Sequence, residues 1–282
     1  MAVSRSRHQA AAGWSPRNGT GLYLSYVAAH VRAQLQYPGA FALQMVGTLL
    51  ITAVEFVGVW ALVHRFGNIR GWELPEVAIL YGLVMIGFST AEIVGRGFDL
   101  FSHQVRRGEF DRLLLRPRHT VLQVAGAEFA FARLGRWLQA AVILVWGLAS
   151  AGIPWSPLRV VLLAETLAAV TVLFLGVFVA VAAITFWTVQ SLELFAIVTN
   201  GAVDAGSYPV TVYRRFLRRF VLFIVPVGTV TYFPVAALLG RPDPLGTPPW
   251  LGWAAPAAAP LFLVAALLLW RLGVRHYSST GS

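Results

Sequence analysis

Long apolar runs separated by short polar turns dominate this chain. Residues 41–63 (FALQMVGTLLITAVEFVGVWALV) would extend about 35 Å as a helix, enough for a bilayer core of about 30 Å. A short polar turn from His64 to Glu73 follows, then a second run over 74–95 with Pro75 suited to its first helical turn. A third run is expected from near Leu134 to Gly152, and a fourth over 158–186 after the tight turn IPWSP. Residues 251–270 form the last run, and Arg271 and Arg275 read as its cytoplasmic end. Residues 22–38 are mixed in polarity, with Leu22, Leu24, Tyr26, Val27, Val31 and Leu35 near one helical face, which predicts an interfacial helix ending at Pro38.

The fifth crossing has two readings. Residues 188–207 are only moderately apolar and contain Glu193 and Asp204; 221–240 are more apolar but carry Pro226 and Pro234. In one topology 188–207 dip into the membrane, Arg214, Arg215, Arg218 and Arg219 are cytoplasmic, and 221–240 cross. In the other, 188–207 cross and 208–240 form a proline-broken re-entrant hairpin on the outer side, where irregular backbone is tolerated inside protein or along a cavity. The positive-inside tendency favours the first. Either way the expected class is all-α: a polytopic integral membrane protein of six transmembrane helices with both termini cytoplasmic. A cytoplasmic tail, 1–21, precedes a single transmembrane domain, 22–275, and 276–282 form a second tail.

Composition agrees. Of the 282 residues 57% are hydrophobic and 12% charged, against about 25% charged in soluble domains. The net charge of +10 would suggest nucleic acid in a soluble protein. Here the arginines cluster at the ends of apolar runs, which points to topology and anionic lipid, with no nucleic-acid partner. All 22 basic residues are arginine, so a phosphate-binding P-loop and a catalytic lysine are both excluded. There is no cysteine. The histidines lack metal-ligand spacing, and no nucleophile elbow exists, so neither a metal nor a catalytic site is expected.

The most patterned polar segment is the loop 96–118, RGFDLFSHQVRRGEFDRLLLRPR, with six arginines against three acids. Phe98, Leu100, Phe101, Val105, Phe110, Leu113, Leu114 and Leu115 are interleaved with the charges. An interfacial helix on anionic lipid is one reading. The interleaved apolar residues favour a surface that docks against a partner. Phe110 and Leu114, four apart, share one helical face.

The stretch Arg107-Gly108-Glu109-Phe110-Asp111-Arg112-Leu113-Leu114-Leu115-Arg116-Pro117 resembles the G-x-h-D-x-h-L-x-R-P element (h apolar) of type-2 ABC exporter permeases. Tyr208-Pro209 through Arg218-Arg219, then Pro226 and Pro234, is similar to that family's hairpin before the last span. The resemblance covers about residues 20–275 and is strongest to the branch in which two different permeases often accompany one ATPase. It implies an extracellular re-entrant hairpin, favouring the second topology, although four outward arginines depart from the pattern. It also implies export, a bacterial inner-membrane location, and three kinds of partner: an ABC ATPase, a second permease of the same or a different chain, and membrane lipid. ATP and Mg would belong to the ATPase, so no cofactor is expected in this chain. By the same resemblance Arg106, Arg107, Gly108, Phe110, Asp111, Leu114, Arg116 and Pro117 would dock the ATPase. Intramembrane acids invite a functional reading: Glu55 is a candidate for the translocation path. Glu55 or Glu165 would serve an alternative, a proton-coupled secondary transporter.

Overall fold

A computed structural model of the chain describes residues 32, 36, 38–115, 119–128, 133–188, 192–242 and 244–277. The expected interfacial helix over 22–38 falls almost wholly outside the described residues, as do Arg116, Pro117 and the tail 1–21. The described chain is helical, and its one β-bridge joins Ile69 to Trp72 in the first polar turn.

Helix α1, Pro38–Phe66, matches the first apolar run. Helix α2, Leu74–Asp99, begins where local chemistry dictates. Pro75 lies in the first turn, and the Glu76 carboxylate accepts the Glu73 backbone N–H at 2.8 Å, the return half of a capping box. Helix α2 runs past the expected limit at residue 95, kinks at Gly95, and leads directly into α3, Phe101–Arg106. Two short helices follow: α4, Glu109–Leu114, and α5, Thr120–Ala125. Helix α6 is Leu134–Ser150. Helix α7, Pro157–Ile184, starts at an N-cap Ser156 that accepts the Arg159 N–H at 3.3 Å. Helix α8 is Leu192–Ser207, and a 3₁₀ turn, Val210–Val212, follows it. Helix α9, Arg215–Arg219, continues as a π-turn over Phe220–Ile224. Helix α10 is Val227–Leu239; α11, Leu251–Ala254, passes through a 3₁₀ turn into α12, Ala258–His276.

Among the described residues four helical stretches are long and apolar enough to cross a membrane: Pro38–Gly58, Leu74–Arg106, Pro157–Ile184 and Leu251–His276. A fifth is reached if the bent pair Arg215–Ile224 and Val227–Leu239 counts as one span, and Leu134–Ser150 is a shorter apolar helix. Helix α2 is the hub, packed on α6, α7 and α8, while α12 lies along α7. Close approach is made possible by small residues: a methyl on Gly87 would come within 2.4 Å of Val170, and one on Gly82 within 2.7 Å of Leu144. In contrast, α1 leans mainly on α6 and leaves Leu43, Leu50, Ile51 and Val54 exposed.

The run 221–240 is not one helix: it is broken at the first of its two prolines. The axis turns by 92° between Ile224 and Val227, at Pro226. Proline lacks the N–H that would continue the helical ladder. Pro234, by contrast, sits within α10 without ending it.

Candidate functional site

Two ends of the bundle can be followed by their contacts. At one, Glu76 of α2 meets Arg241, just past α10, at 2.7 Å. The same guanidinium donates to the Gly71 carbonyl at 2.6 Å and lies over Trp72. Trp72 in turn touches Tyr232, with centroids 5.5 Å apart.

The loop 96–118 lies at the other end. Its backbone is an elbow: α3 ends at Arg106, Gly108 adopts φ 66°, and α4 begins at Glu109. That left-handed conformation is strained for a residue with a Cβ, which accounts for glycine at this point. The elbow turns Phe110 back onto Phe101. Both rings are fully buried, with centroids 5.2 Å apart. They pack with Phe186, beyond the end of α7, and with Trp270 and Tyr277 at the end of α12. Edge-to-face contacts of this kind add to the area they bury. The Trp270 indole N–H donates to Thr120 at 3.0 Å, and the Gln123 amide donates to the Leu113 carbonyl at 3.2 Å, so α5 is stitched to both. The loop is therefore fastened to the ends of three long helices: α2, α7 and α12.

Beneath it lies a knot of charge. Glu92, 8% exposed, meets Arg136 at 2.9 Å and Arg133 at 3.4 Å, with Arg96 at 4.0 Å. Arg96 also pairs with Asp99. Arg136 additionally lies over the Phe88 ring. The knot ties the kink at Gly95 to the start of α6. Buried charge persists only when partnered in this way.

Of the residues expected to dock a partner, the structure separates two groups. Arg106, Arg107 and Leu114 are exposed, as is Leu115, which is 86% exposed. Asp111 is half-buried beside Tyr277. Gly108 shapes the elbow. Phe110 is displaced from its expected role: its ring fills this chain's own aromatic cluster and offers no surface to a partner pocket. Phe110 and Leu114 do not therefore present one docking face. Burial, and after it the Asp111 carboxylate, raises the pKa of the Tyr277 hydroxyl above its ordinary value. Nothing in the spacing of Glu92, Arg133 and Arg136 along the chain pairs them. They stand in the sequence as isolated charges at the ends of two apolar runs.

Glu55 and Glu165 are exposed positions on α1 and α7, and α1 packs on α6 and α2. Arg159 does not pair with Glu165; it reaches back to the Pro154 carbonyl. Among the described residues no group of three or more histidine, cysteine, aspartate or glutamate side chains is arranged to hold a metal.

Comparison with known proteins gives one family. A family model described as ABC-2 family transporter protein matches residues 49–281. No curated protein and no solved structure matches the chain. The match takes in α2 to α12, including the elbow and the bent pair, and with the membrane-length helices it carries the assignment: the chain belongs to the ABC-2 family of transporter proteins, as a multi-pass membrane permease of an ABC-type transporter.

Proposed function

We propose that the chain forms half of the translocation path of an ATP-driven exporter, with a separate ATPase docking on the loop 96–118. The observation that carries this reading is the elbow α3–Gly108–α4, continuous with α2 and locked by Phe101 and Phe110 to the ends of α7 and α12. A loop so fastened converts a push from outside into a joint movement of three long helices. The exposed rim of Arg106, Arg107, Leu114 and Leu115 is the surface available to receive that push, with Asp111 beside it; Arg116 and Pro117, next in the sequence, are assigned to the same contact by the family resemblance alone. Phe110 acts in this scheme as an anchor that transmits the movement. ATP and Mg are held by the ATPase, and a second permease completes the path.

Six crossings follow in this reading, by α1, α2, α6, α7, α8 and α11–α12, with both termini in the cytoplasm of a bacterial inner membrane. Residues 208–240 are then a re-entrant hairpin. Supporting this, α10 has 13 residues, a rise of about 20 Å. It begins where Val227 faces Gly206 and Val84 and ends near Arg241 beside Glu76. The hairpin thus stays in the half of the bundle away from the loop. Glu55 keeps its place as a path-lining candidate; a Glu55→Gln variant with unchanged transport removes it.

The test is affinity purification of the intact chain from its host membrane in mild detergent. Wild-type protein is expected to bring an ATPase with it, and Leu114→Asp with Arg107→Glu is expected to lose that ATPase while unfolding at the wild-type temperature. An ATPase retained by this variant, or absent from the wild type, would overturn the proposal. Transport that is independent of ATP and sensitive to uncouplers would favour a proton-coupled carrier instead.

A further inference from the structure

The bend at Pro226 gives rise to a second basic element, far from the loop along the chain. Arg214 caps α9, and the run Arg215–Ile224 leaves α10 at 92°. If α10 follows the bundle, this run lies across it. Arg215, Arg218 and Arg219 are spaced i, i+3 and i+4 and share a face, while Phe216 and Phe220 share another. Phe216 is 84% and Phe223 77% exposed, and Ile224 is exposed as well. The run is held from behind rather than free: Val221 and Val225 are buried, and Thr229 donates to the Leu222 carbonyl at 2.7 Å.

The charge on this element is uncompensated. Between Asp204 and Asp243 the sequence contains no acidic residue. Among the described residues the ion pairs involve Arg96, Arg107, Arg133, Arg136 and Arg241, and none involves Arg214, Arg215, Arg218 or Arg219. Four cations within six residues, flanked by outward-facing phenylalanines, are complementary to one kind of surface: negative headgroups above acyl chains. Arginine suits phosphate because its planar fork donates in pairs. Its long stem lets the charge rise to the headgroup while its root lies among apolar atoms.

We infer that Arg214–Ile224 is a lipid-binding element that grips the phosphates of anionic phospholipids, with Phe216 and Phe223 set among the acyl chains. Such a grip fixes the base of α10 against the bilayer, so that lipid charge bears on the position of the hairpin. It does not depend on whether an ATPase docks on the loop.

The test uses the full chain in neutral detergent, titrated with pyrene-labelled phosphatidylglycerol or phosphatidylcholine. Wild-type protein is expected to bind the anionic lipid about tenfold more tightly or better, as several surface arginines acting together should, and added salt should erode the difference. Replacing all four arginines by glutamine should bring the two lipids level. Replacing all four by lysine should keep most of the preference, and this variant with the salt series decides the matter if the glutamine variant does not fold. Phe216→Ser with Phe223→Ser should weaken both lipids alike. An unchanged preference in the glutamine variant would overturn the inference. So would displacement of the lipid by millimolar inorganic phosphate alone, which would indicate a site for free anions. So would a glutamine variant that loses a second permease but keeps its lipid preference, which would make the element a protein contact.

Discussion

Two stretches of this chain read almost alike and fold in opposite senses. RRGEFDRLLL in the loop and RRFLRRFVLF before the bend both interleave arginine with phenylalanine and leucine. In the first, Phe110 is fully buried; in the second, Phe216 is 84% exposed. What differs is the company each keeps. The loop carries its own acids and meets Phe101, Phe186, Trp270 and Tyr277, a ready-made apolar socket. The second stretch has no acid, and Val221 is its one buried side chain. Aromatic residues among arginines therefore do not by themselves mark a docking face. Whether the rings turn in or out depends on residues that arrive from elsewhere in the chain.

The comparison can be broken most severely at Gly97. A methyl group there would stand 1.7 Å from the Val124 carbonyl oxygen, so Gly97→Ala must force α2 from α5 and is expected to abolish recovery of folded protein from membranes. A similar methyl at Gly201 of α8 meets nothing within 4 Å and should be tolerated. Next comes the ring itself: Phe110→Ala is expected to cost about 3–5 kcal/mol, and Phe216→Ala about 0.5 kcal/mol or less. Unfolding midpoints in one detergent compare them, and equal losses would mean the two stretches are not opposite in kind. Glu92→Gln should then cost about 3 kcal/mol by leaving half-buried arginines without their buried carboxylate, whereas neutralising Glu109, exposed on the rim, should change stability little.

The smallest effect concerns Tyr277. Its pKa is raised in the folded chain, so the protonated phenol is the form the fold favours. The associated stability is fully present below the unfolded pKa of about 10 and is lost as pH rises through the folded value. Unfolding midpoints should therefore fall less steeply above about pH 10 in Tyr277→Phe than in the wild type. Parallel curves would remove Tyr277 from the alkaline response.

Much of the fold was legible because bilayer-length apolar runs are a strong signal. The second, third and fourth runs agree with Leu74–Asp99, Leu134–Ser150 and Pro157–Ile184 to within a few residues. Local chemistry also reads through, as with Pro75 and the break at Pro226. The continuation of α2 to Asp99 was not legible, because Arg96 and Asp99 look like loop residues until they pair with each other. Nor was the burial of Phe110. Its spacing from Leu114 gives a helical face but not the direction in which that face points. That direction is set by Phe186, Trp270 and Tyr277, some 76 to 167 residues further along the chain.

Site-directed crosslinking tests the central claim most directly, and the absence of cysteine from the chain makes it clean. Leu115→Cys and Phe216→Cys would each be labelled with a short photoactivatable crosslinker in native membranes. The account predicts that the cysteine at position 115 captures an ATPase and that the one at 216 does not. An ATPase captured from position 216, or none from 115 while transport remains intact, would contradict the placement of the coupling surface on the loop.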